Sequence, residues 1–166
     1  MKLRDAVKEY LEKWGFQCKE PGEHPPGAEW SLDVLTPPPL NVGVKIVYLK
    51  TGVMTAVMGV KFSPEHARLV GELKEEERIK FATRMLIELL KICPSCRIAI
   101  QPGIQQPEAV LVEAHLDPER LREEGLEGLL HAVQVLVNAY ILVNALLWEK
   151  FPPKTGVYRQ QPMGFM

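Results

Sequence analysis

The chain has 166 residues, 46% of them apolar and 25% charged, with a formal net charge of −1. That length and balance suit one compact domain burying about 70% of its unfolded surface, with no electrostatic footing for nucleic acid or an anionic membrane. Met1 to Trp14 carries charge throughout and lacks the apolar stretch of an export signal, so a cytoplasmic protein is expected.

Leu3, Ala6, Val7, Tyr10, Leu11 and Trp14 recur at helical spacing, and Gly15 supplies a C-terminal stop for this first helix. Lys19 to Gly27, with Pro21, Pro25 and Pro26, reads as a loop. Trp30, Leu32 and Val34 alternate as a first strand, closed by Pro37, Pro38 and Pro39. Val42, Val44, Ile46 and Tyr48 form one face of a second strand, and Met54, Ala56, Met58, Val60 and Phe62 one face of a third. Lys50, Thr51 and Gly52 turn the chain between them, which predicts an antiparallel meander.

Ser63-Pro64-Glu65 is a helix start: a capping hydroxyl, a proline where no donor is needed, and an acid in the first turn. Gly71 and the run Glu75 to Glu77 mark a break before the second main helix. Its stripe is Phe81, Ala82, Met85, Leu86, Leu89 and Ile92. Two short strands follow, Arg97 to Gln101 and Ala109 to Leu116, around a loop with Pro102, Gly103 and Pro107. Asp117-Pro118-Glu119 repeats the helix-start chemistry, Gly125 interrupts it, and a last helix runs from about Leu126 to Phe151. The expected fold is α+β: a five-stranded, mainly antiparallel sheet with three main helices, in the order α-β-β-β-α-β-β-α. One domain should span residues 1–151, with a Pro-rich, flexible tail over 152–166.

On the last helix Glu127, His131, Gln134, Asn138 and Glu149 share one side, opposite a core stripe of Leu126, Val133, Val137, Tyr140 and Phe151. Ala132 to Trp148 approaches the length of a membrane span, but Gln134, Asn138 and Asn144 interrupt it and no basic flank precedes it, so no membrane is expected. Asn144 falls in the core-facing arc. Its amide either fixes register between paired helices or bonds a neighbouring loop carbonyl.

Cys93-Pro94-Ser95-Cys96 has the spacing of a thiol oxidoreductase, yet it follows a helix instead of opening one. The negative end of the helix dipole disfavours thiolate there. A zinc half-site with Cys18 and His24, two free thiols and a local disulfide are the other readings. Glu113, His115 and Asp117 alternate on one strand face, a pattern common on solvated faces, so no metal or other cofactor is expected. Ser31, Ser63 and Ser95 lie in no nucleophile elbow, and no glycine-rich phosphate loop follows a strand, so no catalytic residue is assigned and the reading leans away from an enzyme.

The second face of strands two and three is half apolar, with Val47, Leu49, Val53, Thr55 and Val57 framed by Lys45 and Lys61. Such a face is either crossed by one of the chain's own helices or binds a peptide or protein. Ile79, Leu86 and Leu90 widen the second main helix beyond the ~100° stripe that one sheet covers. Leu142, Ala145 and Leu146 fall on the outward side of the last helix, so these six residues are the expected homodimer interface, with Leu146→Glu as its probe.

The order of elements resembles the type III secretion chaperone-like fold, and more closely the uncharacterised archaeal proteins that share it. The resemblance spans Leu3 to Phe151. It rests on Val42-Gly43-Val44-Lys45-Ile46, on Ser63-Pro64-Glu65-His66, and on the apolar helix ending Leu146-Leu147-Trp148-Glu149-Lys150-Phe151. It implies a small homodimer that binds extended client segments without nucleotide. Secretion chaperones are strongly acidic whereas this chain is nearly neutral, so a secretion client is not implied. The expected function is a non-enzymatic, chaperone- or adaptor-like protein-binding module. A zinc- or thiol-dependent activity at Cys93 and Cys96 is the alternative.

Overall fold

The computed structural model describes residues 1–153. Most of the expected tail, 152–166, therefore lies outside the described residues. The helices are α1 (Leu3–Lys13), α2 (Pro64–Glu72), α3 (Glu75–Ile92), α4 (Pro118–Glu123) and α5 (Glu127–Lys150). The strands are β1 (Gln17–Lys19), β2 (Ala28–Leu35), β3 (Gly43–Leu49), β4 (Met54–Lys61), β5 (Arg97–Gly103) and β6 (Gln106–Leu116). All pairings are antiparallel, in the order β1-β2-β3-β4-β6-β5.

The α+β class and the meander are as the sequence predicts, but the sheet has six strands instead of five. The addition is β1, whose Gln17, Cys18 and Lys19 pair with Leu35, Val34 and Asp33. Three residues are too few to display a two-residue period. The helices number five among the described residues instead of three main ones, because α2 and α4 stand as separate short helices: α2 runs through Gly71 to Glu72 and the chain breaks at Leu73 and Lys74, while Gly125 separates α4 from α5. Pro102 and Pro107 also belong to strands and not to the expected loop. They face one another across β5 and β6, and Ile104 and Gln105 make the turn. Pro102 is tolerated because β5 is an edge strand, and Pro107 because β6 pairs with β4 only from Ala109 onward.

Local chemistry fixes the element ends. The Ser63 hydroxyl accepts from the His66 N–H at 3.2 Å. One Asp117 carboxylate oxygen accepts from the N–H groups of Glu119 and Arg120 at 3.0 and 3.2 Å. Between β3 and β4 the Leu49 N–H donates to the Val53 carbonyl at 2.8 Å, and Gly52 takes φ +86°, a value that favours glycine. The proline-rich link from β2 to β3 is clamped by buried Thr36. Its N–H donates to the Val42 carbonyl at 3.0 Å while its hydroxyl accepts from the Val42 N–H at 2.7 Å.

One sheet face carries Leu32, Val34, Ile46, Met54, Met58 and Val112, all buried against apolar residues of the helices. α5 is the central cover, packing on β4, β6 and α3. By length and composition alone it is long and apolar enough to cross a bilayer. Here Leu129, Val133, Leu136, Val143 and Leu147 bury into the protein's own core. The Asn144 amide donates to the Tyr140 carbonyl of its own helix at 2.9 Å, and not to a loop carbonyl.

Candidate protein-binding groove on the open sheet face

Strand alternation sends the other half of each strand to the opposite face, where register defines cross-strand rows. One row is Lys19, Asp33, Lys45, Val57, Glu113 and Arg97, drawn from all six strands. The next contains Gln17, Leu35, Gly43, Gly59, Leu111 and Ala99. Gly43 and Gly59 lie on adjacent strands, two residues beyond the pair Lys45↔Val57. Neither has a side chain to fill the space above it, so the sheet is hollowed there.

The result is a groove of about 680 Å³. Gly43, Gly59, Val47 and Val57 lie along its floor, with Leu35 and Gln17 toward the β1 edge. The loop before β2 closes one side. His24 Nδ1 lies 2.9 Å from the Ser31 hydroxyl, and Pro25 of the same loop lines the groove. The Lys45 ammonium is 2.6 Å from the Asp33 carboxylate. This exposed ion pair adds little stability, but it puts both signs of charge beside the apolar bed. The lining residues are apolar apart from Gln17, Lys19, Asp33 and Lys45, so the groove offers contact area and fixed charge.

Of the five residues singled out for protein binding, Val47 and Val57 line the groove. Thr55 is buried, Leu49 is half-buried, and Val53 stands at the exposed hairpin tip. The sequence reading did not include Gln17, Lys19, Pro25, Asp33 or Leu35, since β1 is invisible to periodicity and only pairing brings it to β2. The signal that was present is the glycine at alternate positions of two neighbouring strands.

The expected dimer residues divide. Leu90 is 42% exposed and Ala145 is also exposed, whereas Ile79, Leu86 and Leu142 are half-buried. Leu146 is 7% exposed and belongs to the core, not to the outward side. A 100° projection placed it outward because it cannot show how closely α3 flanks α5. Ile87, 50% exposed, joins Leu90 on the bare side of α3.

Cys93 and Cys96 are bonded to each other as a disulfide and are both buried. Cys93 caps the C-terminal end of α3, where the sequence placed it. Zinc binding or thiol chemistry at this pair therefore requires prior reduction. Cys18 is the free cysteine among the described residues. Burial pushes its thiol up to about 11, and the Glu12 carboxylate adds to the effect. His115, Asp117, Glu127 and His131 line a separate hollow of about 530 Å³, but Asp117 is engaged in capping α4. No three His, Cys, Asp or Glu side chains converge as metal ligands among the described residues.

No curated protein matches the chain. A crystal structure of an uncharacterized protein from Methanothermobacter thermautotrophicus shares the fold, with a TM-score of 0.77 at 18% identity over 90% of this chain and 99% of that one. The model of a family described as "uncharacterized conserved protein (DUF2299)" matches residues 3–147. The match takes in every element from α1 to most of α5, and the chain belongs to that family.

Proposed function

We propose that the chain is a non-enzymatic, cytoplasmic protein-binding module that works as a homodimer in a chaperone- or adaptor-like role. The observation that carries this reading is the groove on the helix-free sheet face, apolar along its floor and flanked by Lys45 and Asp33. Contiguous apolar concavity beside fixed charge is what a client segment of mixed composition needs. The element order and its resemblance to secretion chaperones support the same reading, and so does the bare side of α3 at Ile87 and Leu90. Fold likeness alone would not carry it.

Selection from a displayed library of extended peptides tests it. Peptides with two or more apolar residues should bind at roughly micromolar Kd, and Val57→Lys should abolish that binding. Selection of no peptide above a polar control, or binding indifferent to Val57→Lys, would overturn the reading.

A further inference from the structure

The sheet and its helix layer end on the same margin of the molecule, and both end bare. β5 is the outer strand of the order β1-β2-β3-β4-β6-β5, and nothing pairs with its free edge among the described residues. An unpaired row of backbone donors and acceptors is a template for another strand. From Arg97 to Gln101 no proline blocks such pairing. Ile98 and Ile100 share a face with buried Val112 and Val110, yet they stay half-buried, since no strand lies beyond them. α3 is the helix above this edge, packed on β5, β6 and α5. Its contacts fix its orientation. Phe81, Met85 and Leu89 are buried, and Arg84, paired with Glu149 at 3.0 Å, marks the side toward α5. At about 100° per residue, Ile79, Leu86 and Leu90 then lie on the opposite flank, above the free edge of β5. Leu90 is 42% exposed and the other two are half-buried.

The charge along this margin fits a second copy of the chain. α3 begins Glu75-Glu76-Glu77 and has Lys91 in its last turn, with Arg97 just beyond at the start of β5. Glu76 is paired with Lys80 and Glu88 with Lys91. That leaves Glu75 and Glu77 at one end and Arg97 at the other with no ion pair among the described residues. A copy related by a twofold axis runs antiparallel, so its basic end meets the acidic end and its apolar flank meets the same flank. The opposed helix dipoles favour the same arrangement. Size agrees as well. The margin is about 27 Å long, the length of the 18-residue α3, and about 20 Å deep, one strand layer and one helix layer. Two such margins cover roughly 1,000 Å², which is the least that a specific interface needs.

We propose that a second copy docks on this margin, β5 antiparallel to its partner's β5 and α3 against α3, so that two six-stranded sheets become one sheet of twelve. This rests on the homodimer and client groove proposed above, and specifies how they are joined. The twofold axis stands perpendicular to the sheet, so both grooves open on one face. Their centres, taken at β3, are seven strand spacings or roughly 34 Å apart, so one client with two apolar segments can engage both.

Cross-linking of the full chain tests the pairing. Ala99 is exposed at the middle of the free stretch of β5, where a twofold sets it opposite its own copy. In a Cys18→Ser background, Ala99→Cys should form a disulfide-linked dimer under mild oxidation at least tenfold faster than Thr51→Cys, which is exposed at the β3–β4 turn. Leu90→Glu should sediment as a monomer with an unchanged thermal midpoint, and should remove the Ala99→Cys cross-link. A wild-type monomer at micromolar concentration, a dimer indifferent to Leu90→Glu, or Ala99→Cys linking no faster than Thr51→Cys overturns the proposal. Two copies of a selected peptide joined by about 20 Gly and Ser residues should bind the wild type at least tenfold more tightly than one copy, and Leu90→Glu no more tightly. No gain in the wild type overturns the shared face. The two readings fail separately. Single peptides that bind Leu90→Glu as well as the wild type keep the groove even where the cross-link fails. A cross-linked dimer that selects no peptide keeps the interface and removes the client.

Discussion

His66 is buried in an aromatic corner, its ring edge-on to Trp148 at 4.9 Å. Burial pushes its imidazole below the ordinary 6.5, and the Glu65 carboxylate opposes this more weakly. The unfolded chain therefore takes up this proton more readily than the folded one. Stability from His66 is fully present above about pH 6.5 and is lost as pH falls through the depressed folded value. Urea denaturation at pH 7.5 and pH 5.5 should show a loss at the lower pH that is smaller in His66→Leu, and an equal loss in both would exclude His66 as its source. Arg78 is a second residue with a clear structural task. Its guanidinium donates to the carbonyls of Gln105 and Leu73 at 2.7 Å and of Gly71 at 3.1 Å, tying the β5–β6 turn to the α2–α3 link. Arg78→Met should cost about 1 kcal/mol and speed amide exchange around Gln105 without altering distant strands. Neither role was legible in the sequence. His66 appears there as a histidine in a first turn, and the carbonyls Arg78 joins are up to 27 residues away.

The helix–strand pattern was mostly legible because each long element carries its own period. In β4, Met54, Ala56, Met58 and Val60 are buried while Gly59 and Lys61 are exposed, as alternation requires. β1, at three residues, is shorter than two periods and was lost, whereas the starts of α2 and α4 were legible from Ser63-Pro64 and Asp117-Pro118 although neither was counted as a main helix. Helical projection also misplaced Leu146, and this changes how self-association is probed. Leu146→Glu puts a charge into the chain's own core and should unfold the protein by several kcal/mol, whatever its oligomeric state. Leu90→Glu, on the bare side of α3, should leave the melting temperature nearly unchanged and convert the proposed dimer to a monomer by light scattering. A wild-type monomer at micromolar concentration would remove the homodimer from the functional reading.

For the molecule as a whole, the disulfide joins residues only 3 apart in sequence, so it restricts little of the unfolded chain. The chain-entropy relation assigns such a small loop about 2 kcal/mol, and reduction should lower the unfolding free energy by no more than that. A larger loss under dithiothreitol would mean that the junction of α3 and β5 depends on the bond for its packing. The groove was half legible at this scale. Val47 and Val57 stand out on the sequence's second strand face, but the hollow needs strand order, the register of Gly43 with Gly59, and β1 at the edge. None of these is a property of a local window. Pairing between distant segments decides them.

The placement of α5 has a consequence for how the protein comes into being on the ribosome. β4 pairs with β6 from Met54↔Leu116 to Lys61↔Ala109, and α2, α3 and β5 are all synthesised between the two. The element that then covers β4 and β6 is the last helix of the described chain. For most of its synthesis the meander β1 to β4 therefore presents Leu32, Ile46, Met54 and Met58 to water, with only α1 available to shield part of it. Nascent chains in that state are prone to aggregate or to be held by the cell's folding machinery. Ribosome-bound chains arrested near Gly125 should remain protease-sensitive across β2 to β4, and those arrested far enough downstream to free Lys150 from the exit tunnel should become resistant in a single step.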